Sequence, residues 1–284
     1  MKTLENEKLL VEISEHGAEV TRIFRKDTKE EMLWNADPAF WGRHAPILFP
    51  FVGASHKGVY HYQGKEYVMK QHGFARDTDF QVVSADDTKA VYQLKSNEKT
   101  KESYPFDFCL TVTYVLKENV LTVGWNVENC TDGEMYFTIG AHPAFNVEPG
   151  SYLVAEEGGL ESLDFIRIGE PGTALPEVYK LKLPGGRLRM PEDMFAEGVY
   201  IFENGQLNSV GLEGPDGKPR ITVKCPGFPY VGVWSKPGAG FVCLEPWYGR
   251  TDDTGYTGDL SEKTGVQKLE KGKTFEASYD IVIG

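Results

Sequence analysis

The sequence predicts an all-β protein, one large β-sandwich, on three observations. Runs of alternating apolar residues recur along the chain. No segment carries a long apolar stripe at helical spacing between capping residues. Glycine (31), proline (16), tyrosine (14) and phenylalanine (16) are numerous enough for many turns and for many aromatics packed on pleated surfaces. Strands that follow one another without helices bury their apolar faces against each other, hence sheet on sheet.

The elements follow in chain order. Residues 60–67 read as a tight hairpin with Gly64 supplying the turn. Short helical turns fit 38–42 and 191–197, and the charged stretch 96–103 reads as a solvated loop. In 108–116, Phe108, Leu110, Val112, Tyr114 and Leu116 share a face; after Lys117, Glu118 and Asn119 the alternation resumes with Leu121, Val123, Trp125 and Val127. Two such runs joined by polar residues predict a hairpin. At the end of the chain Phe275, Ala277, Tyr279, Ile281 and Ile283 line one face. No internal repeat and no linker-like segment interrupts the 284 residues, so 1–284 is expected to form a single domain.

Composition narrows the function. A net charge of −12 argues against a nucleic-acid binder or a binder of anionic membranes, which need a basic face. The longest uncharged stretch, 45–55, holds two prolines and is too short to span a bilayer. Residues 1–8 carry no apolar run, so the expectation is no signal peptide and a cytoplasmic location. Cys109, Cys130, Cys225 and Cys243 are far apart, without zinc spacing, and read as buried reduced thiols. Metal motifs of the HxH, HExxH and EF-hand types are missing, as are GxGxxG and Walker patterns, so no metal and no cofactor is expected.

Three local patterns carry chemistry. In Thr138-Ile-Gly-Ala-His142-Pro143, period-2 counting puts Thr138, Gly140 and His142 on one face, with small neighbours leaving room for a ligand over the imidazole. Pro143 holds His142 extended and ends the strand. In Phe241-Val-Cys-Leu-Glu245-Pro246-Trp247 the same counting sets Glu245 beside Cys243 and Phe241 at a strand end before proline. A carboxylate there is either buried with a partner or lining a cleft, where desolvation raises its pKa and makes it a usable base. Trp247 offers an aromatic platform. The third pattern is Gln71-His72-Gly73-Phe74-Ala75-Arg76-Asp77, with Trp41-Gly42-Arg43-His44 upstream, which sets imidazoles and guanidiniums beside glycine. Each has a bland alternative: a satisfied structural histidine, a salt-bridged edge carboxylate, and a surface Arg76–Asp77 ion pair that partly neutralises the arginine. His16, His56 and His61 read as structural.

In order, Arg43-x-x-Pro46-Ile-Leu-Phe-Pro50, His72-Gly-Phe-Ala-Arg76, Gly140-Ala-His142-Pro-Ala-Phe145 and Leu244-Glu245-Pro246-Trp247 resemble the aldose 1-epimerase (galactose mutarotase-like) family, in its LacX-like branch. The resemblance runs from Gly17-Ala18-Glu19 to the last strand. It implies a twisted antiparallel supersandwich with an open concave sheet that binds a monosaccharide, an aldohexose or its phosphate. It implies Glu245 as general base toward the anomeric hydroxyl and His142 as general acid toward the ring oxygen. Arg43 and His72 are implied as hydroxyl-orienting groups, with Arg76 and Trp247 as further substrate contacts. Many relatives bind sugar hydroxyls through an aspartate before a short strand; here Gly198 stands at that place, with Glu197 and Asp193 nearby. The same resemblance admits a hexose-6-phosphate 1-epimerase and a non-catalytic carbohydrate-binding protein on the same fold.

Overall fold

A computed structural model describes residues 1–156 and 159–284. Among them, two large sheets of antiparallel pairs face each other. The nine-stranded sheet contains the hairpin of Phe108–Lys117 and Val120–Asn129, flanked by Thr274–Ile283 on one side and Lys89–Lys95 on the other. The eight-stranded sheet runs Thr173–Lys182, Ser162–Gly169, Tyr200–Phe202, Tyr230–Trp234, Phe241–Tyr248, Ile139–Ala141 and Ile47–Leu48, with Ala144–Asn146 pairing beside Ile139–Ala141 on the Phe241–Tyr248 strand. A smaller four-stranded sheet at the beginning of the chain adds Leu4, Val11, Ile13 and Ile23 to the same core.

The alternation read from the sequence sets the core. Leu110, Val112, Leu116, Leu121, Val123 and Trp125 are buried, and the register pairs Val112 with Trp125 and Leu116 with Leu121. From the opposite sheet Val231, Val233, Val242 and Leu244 complete one apolar cluster. Lys117 pairs with Val120, which shortens the predicted three-residue connection to Glu118 and Asn119. The 60–67 hairpin has the expected turn: Gln63 (φ 49°) and Gly64 (φ 73°) are both left-handed.

Three expectations need correction. The segment 96–103 contains an α-helix, Glu98–Ser103, because Asn97 caps it: its side chain accepts from Thr100 N at 3.1 Å while Thr100 Oγ1 accepts from Asn97 N at 2.9 Å. Cys130 is exposed, unlike the other three thiols. The third concerns Pro246, which does not end its strand; Phe241–Tyr248 runs through it. Leu244 N donates to Pro143 O, so the vacant donor position of Pro246, two residues on, points the same way. There it meets the break between Ile139–Ala141 and Ala144–Asn146, where no ladder bond is lost. No helix among the described residues is long and apolar enough to cross a membrane.

Candidate active site

The Phe241–Tyr248 strand divides its side chains by parity. Val242 and Leu244 enter the core, whereas Phe241, Cys243, Glu245 and Trp247 face the other side of the sheet. That outer face carries a cavity of about 440 Å³ lined by both polar and apolar groups.

At its base Glu245 and His142 meet, with His142 Nε2 lying 3.1 Å from Glu245 Oε2. Glu245 is 1 % exposed and His142 7 %. Neither carboxylate oxygen, nor His142 Nδ1, has a hydrogen-bond partner in the protein. Burial pushes the Glu245 carboxyl well above its ordinary range, opposed by the nearby Trp247 indole. Burial likewise pulls the His142 imidazole down to about 3, helped by the charges of Arg76 and Arg43. Both shifts favour the uncharged forms, a protonated carboxyl on Glu245 and a neutral ring on His142.

The chain places His142 by backbone bonds on both sides: His142 N donates to Pro46 O at 3.1 Å, and Ala144 N to His44 O at 2.9 Å. Glu19 steadies that segment from below, accepting from His44 N at 2.7 Å and Ala45 N at 2.8 Å. The space above Gly140 is not open, contrary to the sequence expectation. A Cβ there would stand 2.4 Å from Trp247 Cδ1, and one on Gly232 would stand 2.4 Å from Trp247 Cη2. The Trp247 indole thus lies across two glycines, its Nε1 donating to Ala141 O at 3.2 Å, and reaches the cavity wall. What covers the imidazole is Trp41, stacked at 4.8 Å and 28°.

His72 comes from the Phe49–Gly73 contact. His72 (φ 65°) and Gly73 (φ 69°) are successive left-handed residues, and a Cβ on Gly73 would strike Phe49 O at 2.3 Å, so only glycine fits. Gly53 N donates to His72 Nδ1 at 3.1 Å, and the Gln71 side-chain amide nitrogen lies 3.3 Å from His72 Nε2. Burial, and then the His142 ring and Arg76, hold the His72 pKa well below its ordinary value. Its ring stands edge-on to His142 at 5.6 Å.

Arg76 also lines the cavity; its Nη2 donates to Gln71 O at 2.7 Å, while its buried Nε has no partner. Burial and the neighbouring Arg43 charge lower its pKa to about 10. Arg43 lies outside the cavity lining: it bonds Asp77 Oδ1 at 2.7 Å and reaches Arg76 O at 3.5 Å. Asp77 is thus engaged by Arg43, not by its sequence neighbour as the Arg76–Asp77 reading supposed. Gly198 lines the cavity with a left-handed backbone (φ 87°), whereas Glu197 turns out to solvent against Arg167 and Asp193 is exposed. The far wall is apolar, made by Ile168, Val199 and Ile201.

Sequence reasoning missed Trp234 and Thr251 as lining residues and named Gln71 and Trp41 only as neighbours of His72 and Arg43. Trp234 had a signal: in Tyr230–Trp234 it shares a face with Gly232, and the register sets it opposite Cys243. His142, Cys243 and Glu245 also bring possible ligand atoms within 4.8 Å of one another. Burial raises the Cys243 thiol well above its ordinary pKa.

Comparison with known proteins gives a consistent result. The sequence profile of aldose 1-epimerase matches residues 1–175. The chain is 30% identical to the chromosomally encoded protein LacX of Lactococcus lactis subsp. lactis, covering 99% of this chain and 98% of that one. A galactose mutarotase related enzyme from Lactobacillus acidophilus superposes with a TM-score of 0.94 at 34% identity, over 100% of this chain and 97% of that chain. A galactose mutarotase-like protein from Lactobacillus casei gives 0.93 at 33% identity, over the whole of both chains.

Proposed function

Since the chain belongs to the aldose 1-epimerase family, a class of isomerases, we propose that it interconverts the α and β anomers of an aldohexose, with Glu245 as general base and His142 as general acid. One observation carries the reading. A buried carboxylate with both oxygens unpartnered stands 3.1 Å from a buried imidazole at the base of an open cavity. Unsatisfied buried acceptors are costly, and a sugar hydroxyl supplies the missing donor.

When the anomeric hydroxyl approaches Glu245, the proton resting on the carboxyl passes to His142. The carboxylate then takes the proton of the anomeric hydroxyl as the C1–O5 bond breaks. The electron pair leaving with O5 takes the proton from His142, giving the open aldehyde. Rotation about C1–C2 and the reverse transfers deliver the other anomer, the two residues exchanging roles. Acid–base catalysis of this type contributes roughly 10²–10⁴-fold, and positioning adds to it. His72, Gln71 and Trp247 orient the sugar from the cavity wall; Arg43 acts indirectly, by engaging Asp77. The test is polarimetry of α-glucose and α-galactose with wild type and Glu245→Gln. Activity in the wild type and its near-complete loss in a folded variant supports the assignment; near wild-type rates in the variant overturn it.

A second reading, a hexose-6-phosphate as substrate, is favoured by Arg76, whose guanidinium faces the cavity with its Nε unpartnered. A phosphate ester wants such donors.

A further inference from the structure

The imidazole of an acid–base histidine is ordinarily oriented by a hydrogen bond to its second nitrogen, which fixes tautomer and tilt. His142 Nδ1 is buried and has no such partner. Rings surround the imidazole instead. Trp41 stacks on its face at 4.8 Å and 28°, Trp234 stands edge-on at 5.7 Å and 80°, and His72 edge-on at 5.6 Å and 88°.

Trp41 is itself held firmly. Its N–H donates to Asp37 O at 2.9 Å and its carbonyl accepts from Trp34 Nε1 at 2.9 Å. Its ring lies at 5.7 Å and 27° against Phe241 and at 5.7 Å and 72° against Trp234. Trp34 rests on the same Phe241 at 4.8 Å. The indole is thus fixed to the strand that carries Glu245, and one rigid stack ties the imidazole to the carboxylate's own strand.

We infer that Trp41 is a positioning residue: its indole face holds the His142 ring with Nε2 toward Glu245, in place of a hydrogen bond at Nδ1. This rests on the reading of His142 and Glu245 as acid and base. The arrangement also suits the proton shuttle, because an aromatic face attracts the imidazolium formed in turnover without trapping the proton on a second acceptor.

The experiment compares wild type, Trp41→Phe and Trp41→Ala by two readouts. In the mutarotase assay, Trp41→Ala is expected to lower kcat roughly tenfold to a hundredfold, the scale on which small misplacements act, with KM changed far less. Trp41→Phe, which keeps a ring face, restores most of the loss. A fall in KM-dependent binding alone, an unchanged kcat in Trp41→Ala, or a Phe variant no better than Ala overturns the inference. The second readout needs no turnover. Nuclear magnetic resonance of the His142 ring without sugar is expected to show one orientation in wild type and Trp41→Phe, and averaging between orientations in Trp41→Ala. A single unchanged orientation in Trp41→Ala overturns the inference even if the wild type proves inactive, an outcome that would instead count against the proposed function.

Discussion

Asp77 accepts a 2.7 Å hydrogen bond from Arg43 Nη2, not from Arg76 beside it in sequence. The carboxylate nearest Arg76 along the chain is thereby engaged elsewhere, and the guanidinium keeps a buried Nε without a partner at the cavity. If the substrate is phosphorylated, kcat/KM for glucose or galactose 6-phosphate exceeds that for the free hexose by more than about tenfold, roughly 1.4 kcal/mol of differential transition-state binding. Arg76→Ala then abolishes the preference. Equal or better use of the free sugars, unaffected by Arg76→Ala, assigns the site to neutral aldoses.

The pH dependence of stability separates the two members of the pair. Folding holds His142 neutral, with a pKa moved from 6.5 to about 3, so its contribution is complete above about 6.5 and is lost as pH falls toward about 3. Glu245 is raised, so its contribution is present below its ordinary value of 4.5 and is lost as pH rises through the folded value. His142→Asn is therefore expected to flatten the fall in Tm on the acid side. Glu245→Gln should gain Tm relative to wild type at neutral and alkaline pH. Parallel Tm curves for wild type and both variants would contradict the burial of the pair.

Gly140 tests the packing of Trp247. A methyl group there would stand 2.4 Å from Trp247 Cδ1 and 3.1 Å from Val52 Cγ2. Gly140→Ala is expected to cost about 1–3 kcal/mol in denaturant unfolding and to lower activity, because the displaced indole also lines the cavity. A neutral result in both assays would mean that the indole has room to move.

The core is tested by two adjacent residues. Val112 is fully buried, whereas Thr111, on the other face, is half-buried and accepts from Gln93 Nε2 at 3.3 Å. Val112→Asp is expected to lose roughly 4 kcal/mol or more, by placing an unpaired charge in the core, and to aggregate or unfold. Thr111→Asp should be much milder. Equal damage in circular dichroism melts would contradict the one-sided burial of this strand.

Much of this was legible in the sequence because the governing periods are local. Counting by two placed Val112 inward and set Glu245 with Cys243 and Phe241, and the structure shows both. The glycine beside His72 read as a place for backbone to approach a ligand; what approaches Gly73 in the structure is Phe49 O, 2.3 Å from where a Cβ would stand. Strand order was not readable. Ile168 and Ile201 reach the cavity only because Tyr200–Phe202 pairs with Tyr230–Trp234 and Ser162–Gly169 pairs in turn with Tyr200–Phe202, long-range pairings that no local pattern encodes. The helix Glu98–Ser103 escaped because one turn has no room for an apolar stripe, and its cap uses threonine where the usual signature has glutamate or glutamine. The filling of the space over Gly140 escaped for a related reason: small residues look like a vacancy until the partner strand supplies Trp247.

The parity of the Phe241–Tyr248 strand has a consequence for assembly. Sliding this strand by one residue against its neighbours would send Glu245 into the hydrocarbon interior and deliver Leu244 to the cavity. The slip would bury a carboxylate among aliphatic groups on one face and strip the aliphatic layer on the other, with the Trp247 indole driven off its two glycines at the same moment. The Glu245 carboxyl is thus also a checkpoint on strand registration. A chain that has paired this strand correctly has, by the same event, brought Glu245 to His142 at the base of the cavity.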